Sequence, residues 1–171
     1  MKIHATKKLL DALPFLVEDV AEEEVDSLYS WHANLLTINR RKMVVLMHDQ
    51  SRYIIVLYGM KAKDFKRMDV LFQEAIRQVF KSERISDEII EKYIEAAGGI
   101  TFHKTKNRSM TARLKQACDH VWVYDEELTT TELVNVQVGK RASRFLVGDG
   151  SYPYEELFEA LGRLTDKPIF S

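Results

Sequence analysis

One cysteine, three prolines and seven glycines in 171 residues exclude several classes of protein at once. Cys118 has no second thiol to pair with, so no disulfide framework can form and no cysteine-type zinc site can be completed. So little glycine and proline rules out collagen-like and low-complexity chains. No apolar run nears the ~20 residues a membrane helix needs, and the polar start Met1-Lys2-Ile3-His4 lacks the pattern of a secretory signal. An excess of one charge is missing too: 25 Lys+Arg against 26 Asp+Glu leave a net −1, which together with 46% hydrophobic side chains excludes disorder. The expectation is a single globular domain over residues 1–171, cytoplasmic and reduced, with no membrane partner.

The motifs that would announce a cofactor are absent as well. Neither G-x-G-x-x-G nor G-x-x-x-x-G-K-[ST] occurs, and Gly148-Asp149-Gly150-Ser151 reads as a turn. Cys118 falls on the apolar stripe of a helix, and His120, two residues on, does not face it. No cofactor and no metal are expected.

What is present is a segregated charge pattern. Glu18–Asp26 carries six acids and no base, Asn39–Arg67 eight bases against Asp49 and Asp64, and Phe102–Cys118 five bases and no acid. A partner within a Debye length of about 8–10 Å feels these local fields rather than their sum.

Hydrophobic spacing predicts an α+β domain. Lys2–Thr6 reads as a short strand, with Thr6 capping a brief helix through Ala12 that Pro14 ends; the acidic stretch that follows reads as loop with some helix. Ala33–Ile38, Met43–His48 and Tyr53–Tyr58 are apolar runs with four-residue polar breaks, a three-stranded antiparallel meander over 33–58 with helices packed on it. The last two runs are apolar on both parities, so both faces should be covered. Helices are expected over about Ala62–Lys81, from Ser86 to Gly98-Gly99, and from Asn107 or Arg108 through Val121. Ile100–Lys104 and Ser143–Val147 read as strands, Leu133–Val138 as either element, and Pro153 starts a final helix.

Three segments carry a family resemblance: Trp31-His32-Ala33-Asn34-Leu35-Leu36-Thr37-Ile38-Asn39-Arg40-Arg41-Lys42, Phe102-His103-Lys104-Thr105-Lys106-Asn107-Arg108-Ser109-Met110, and Ser143-Arg144-Phe145-Leu146-Val147-Gly148-Asp149-Gly150. In order and spacing the chain resembles a family of bacterial domains of unknown function. Some relatives are joined to a second domain of the plasmid pRiA4b ORF-3 type, which implies association with mobile elements. The resemblance implies no activity and assigns no site residue.

Two constellations remain. With Leu36 opposite Val45 and Ala33 opposite His48, the meander gathers Trp31, His32, His48, Asp49 and Arg52 at one end, where His32, His48 and Asp49 would serve as acid–base catalysts or, in the alternative, as an open metal site. The other end collects Arg40, Arg41 and Lys42 with Lys61 and Lys63. Lys104, Lys106, Arg108 and Ser109 stand at the start of a helix, where cations oppose the macrodipole unless an anion sits on the free amides. The expectation is that both basic groups converge on one anion, unless Glu18–Asp26 folds back and neutralises them. Taken together, a non-catalytic binding or regulatory module for an anionic partner, nucleic acid or an acidic protein segment, comes first. A protein–protein or toxin-neutralising role (through exposed residues such as Trp122 and Tyr152) and a small enzyme on a phosphorylated or carboxylated substrate stay open beside it.

Overall fold

The computed structural model describes residues 1–15, 17 and 26–171. Strand β1 (Lys2–Ala5) leads into α1 (Lys7–Ala12), which stops at Leu13, before Pro14. Thr6 precedes that helix without capping it, because its hydroxyl donates to Asn34 Oδ1 at 2.8 Å instead. The expected reading of the acidic stretch falls outside the described residues, except for Asp26, whose carboxylate accepts from Leu28 N–H in the turn before the next strand.

Strands β2 (Ser30–Ile38), β3 (Arg41–His48) and β4 (Ile54–Met60) form the meander. The β2–β3 connection has two residues, not four: Asn39 and Arg40 take φ of 50° and 63°, the left-handed backbone of a tight hairpin turn. Arg41 and Lys42 therefore belong to β3, Leu36 faces Met43 and Ala33 faces Leu46. The register differs by two residues from the expected one. An even slip leaves every side chain on its expected face, which is why the core pattern survives the error.

The sheet is not purely antiparallel. Its order is β4-β3-β2-β1-β5, where β5 is Thr101–Lys104 and β1 runs parallel to both β2 and β5. α+β remains the right broad class, with seven helices around a five-stranded mixed sheet among the described residues. Four-residue strands joined across distant chain show no pairing partner in their own spacing, which is why the parallel edge was not foreseen.

Side chains of alternate parity divide between two cores. On the first face, Ile3, Trp31, Ala33, Val44, Leu46, Ile55 and Phe102 meet α1, α3 (Met68–Ser82), α4 (Asp87–Ala97) and α7 (Pro153–Gly162). On the second, Met43, Val45, Met47, Ile54 and Val56 meet α5 (Arg108–Trp122) and α6 (Val136–Ala142). The helix expected over Ala62–Lys81 is broken by Lys66 and Arg67 into α2 (Ala62–Phe65) and α3. Ser86 caps α4 by accepting from Ile89 N–H, and Gly98 at φ 67° ends it.

Ser143–Val147 is not a strand; it is the turn that follows α6. Ser143 Oγ accepts from Ile54 N–H at 2.9 Å and donates to the Gly139 carbonyl at 2.8 Å, fastening α6 to the start of β4. The approach is close enough that a Cβ on Gly139 would stand 2.8 Å from the Ile54 carbonyl oxygen. Leu133–Asn135 cover the β4 edge, with Tyr58 N–H donating to Leu133 O and Asn135 N–H to Val56 O, each at 2.9 Å.

Candidate functional site

The two histidines expected to act together point away from each other. Trp31 pairs with His48, and His32 with Met47, so alternation sends His48 to the first face and His32 to the second. His48 is fully buried, with its Nδ1 2.7 Å from Ser51 Oγ and its Nε2 2.8 Å from the Leu28 carbonyl, which it donates to. Burial pushes its pKa below the ordinary histidine value, and the Leu28 carbonyl only partly offsets this. Both nitrogens are committed to holding the loops at this end of the sheet, so His48 is spatially separate from the group around His32.

His32 stands at the centre of a polar cluster between the second face and α5. Its Nδ1 lies 2.7 Å from Asp49 Oδ1, and its Nε2 lies 3.1 Å from Thr105 Oγ1, just past the end of β5. A carboxylate accepts, so the Asp49 contact places the imidazole proton on Nδ1 and leaves Nε2 to accept from the Thr105 hydroxyl. The His32 side chain is 4% exposed and that of Asp49 14%, while Thr105 is half-buried. Thr111 Oγ1, in the first turn of α5, comes within 3.4 Å of Thr105 Oγ1 and donates to Asn107 O.

The register of the parallel strands adds two imidazoles. His32, His4 and His103 occupy matched positions on β2, β1 and β5. The His4 ring stacks on that of His32, with centroids 4.9 Å apart and planes 15° apart, and His103 lies 5.8 Å from His4 on its other side. The described residues hold no group of three or more acidic, histidine or cysteine side chains arranged for a metal ion. Sequence reasoning missed His4 and His103, along with the Thr105 contact. The one available signal was that all three histidines lie within expected strands, and it is useless without the parallel pairing.

The basic residues fall into separate groups. Lys104 stands level with Ala5 and Ala33, five residues short of Ile38 at the hairpin end, so about 16 Å along the strands and roughly 10 Å across them separate it from the turn. It also lies on the first face with Phe102, whereas Lys106, Arg108 and Ser109 lead into α5 on the second. The α5 N-terminus is capped from within, as Asn107 Oδ1 accepts from Met110 N–H at 3.0 Å. At the hairpin end, Arg40, Arg41, Lys42 and Lys61 line an open groove of about 380 Å³ with Gly59, Met60 and Ala62. No carboxylate lies within ion-pair distance of those four cations among the described residues, and Lys42 Nζ also lies 5.6 Å from the centroid of the Phe65 ring. Lys63 does not line the groove.

The remaining candidates have structural explanations. Burial pushes the Cys118 thiol up to about 11, opposite to what a nucleophile requires. Asp149 accepts from Ser151 N–H and Oγ–H within its own turn. Trp122 and Tyr152 are exposed, as apolar side chains outside the helix stripes should be.

The chain belongs to DUF6933, a family of domains of unknown function whose model matches residues 2–156. No curated protein matches it.

Proposed function

We propose that the protein is a binding module that takes an anionic protein segment into the groove at the β2–β3 hairpin end. The supporting observation is that groove, open and lined by four cations with no carboxylate partner among the described residues. Two arginines offer bidentate contacts to carboxylates, two lysines add point charge, and Met60 and Ala62 give a partly apolar floor. An acidic peptide suits such a surface better than nucleic acid. Single-stranded nucleic acid calls for exposed aromatic platforms among the bases, and Tyr58 and Phe65, the aromatics nearest the groove in sequence, are buried.

Fluorescence anisotropy of a labelled Glu/Asp-rich peptide, beside a single-stranded oligonucleotide of matched charge, tests the reading at increasing salt. The expected result is salt-sensitive peptide binding that weakens at least tenfold in Arg41→Glu and is insensitive to Lys104→Ala. Equal or tighter oligonucleotide binding would assign the groove to nucleic acid. No binding of either at low salt would reject the module altogether.

A further inference from the structure

The hydrogen-bonded chain Asp49–His32–Thr105 lies outside that groove, and its geometry is specific. A carboxylate holds the near nitrogen of a buried imidazole at 2.7 Å, and the far nitrogen meets a hydroxyl at 3.1 Å. These are the three roles of orienting acid, general base and nucleophile, each within the reach that proton transfer requires. The His4 ring stacked on His32 fixes the plane of the imidazole, so its Nε2 lone pair stays directed at Thr105.

The topology puts this hydroxyl where open sheets bind ligands. β1 and β5 lie side by side and parallel, yet the chain leaving β1 enters α1 on the first face while the chain leaving β5 enters α5 on the second. Connections that diverge to opposite faces part at the carboxyl ends of the strands, the place where open parallel sheets bind ligands, and Thr105 is the residue after β5 at that point. His48 shows what a purely architectural histidine looks like in this molecule: fully buried, with one nitrogen on a backbone carbonyl and the other on a serine of its own turn. The His32 chain ends on a half-buried hydroxyl instead.

We propose that Asp49, His32 and Thr105 form a nucleophilic relay in which Thr105 accepts a small acyl group from an ester. Thr105 Oγ attacks the carbonyl carbon, forming the O–C bond as the carbonyl π pair moves onto oxygen, and its proton passes to His32 Nε2. Collapse of the tetrahedral centre breaks the bond to the alcohol, which leaves with that proton. Water then attacks the acyl-threonine, giving its proton to His32, and the free acid departs as Thr105 Oγ recovers a proton from Nε2. Asp49 stays ionised throughout and stabilises the imidazolium.

The test uses the full chain with a fluorophosphonate probe, read by intact mass and peptide mapping. A single adduct on Thr105 is expected, retained in Thr105→Ser, absent in Thr105→Val and slowed at least tenfold in His32→Gln and Asp49→Asn. In the native chain the labelling rate should rise with pH, a readout that holds even if a variant fails to fold. Absence of an adduct at residue 105 in both the native and Thr105→Ser chains overturns the proposal. So does labelling that is independent of pH and of His32.

Discussion

Glu83 and Asp49 are both withdrawn from water, yet the fold treats them differently. Glu83, at the end of α3, accepts from Tyr53 Oη at 2.5 Å and from both terminal nitrogens of Arg144 at 2.6 and 2.7 Å, and the Arg144 guanidinium lies over the Tyr154 ring. Burial and the neighbouring Glu83 together push the Tyr53 phenol well above its usual range, so that phenol stays neutral at any ordinary pH. Asp49 instead holds an imidazole, which passes the interaction on to Thr105. A carboxylate that ends on a guanidinium is a fastening. One that ends on an imidazole, which hands the hydrogen-bond chain on to a hydroxyl, has the form of a device.

The contrast can be pressed hardest at Arg144. Arg144→Ala leaves Glu83 buried without its cation and should cost about 3 kcal/mol of stability, read as a shift of the urea midpoint. Little change there would mean that water already reaches Glu83. Gly139→Ala, which forces a Cβ against the Ile54 carbonyl on the same fastening, should cost about 2 kcal/mol in the same assay.

Asp49→Asn keeps the shape of the side chain and a hydrogen bond to His32, so a loss of about 1 kcal/mol is expected. A loss as large as that of Arg144→Ala would make the two carboxylates equivalent and remove the distinction. Buried His48 adds a pH dependence of its own. The folded-state pKa of His48 lies below the ordinary 6.5, so its contribution to stability is complete above that pH and is lost as the pH falls through it. Denaturation midpoints should therefore decline on acidification below pH 6.5, and His48→Gln should flatten that decline. Smallest of all, Arg41→Glu in the exposed groove should move stability by no more than about 0.5 kcal/mol while weakening the acidic peptide at least tenfold.

How far the residues alone disclose this arrangement depends on the range of the interaction. The meander, the helix stripes of α3, α4 and α5, the helix starts at Ser86 and at Asn107 or Arg108, and the Gly98 stop all follow from spacing within a few residues, and the structure has them. The two-residue turn was missed because Asn39-Arg40 is not a glycine-bearing pair, and only the backbone shows its left-handed angles. The closeness of His32 to Asp49 was legible from the hairpin. The opposite direction of His48 was legible too, since strand alternation requires it once the register is set. The His4–His32–His103 ladder and the Thr105 contact depend on parallel pairing between residues 28 positions apart on β1 and β2 and 99 apart on β1 and β5, which no local pattern encodes.

The hairpin corner carries one more implication. A non-glycine residue with a left-handed backbone sits about 1 kcal/mol above glycine in local conformational energy, and Arg40 occupies such a backbone at φ 63°. Asn-Gly would make the same bend with less strain. Replacing Arg40 by glycine thus offers a tighter-folding hairpin with a weaker positive field at its tip, a trade between rigidity and recognition located in one residue.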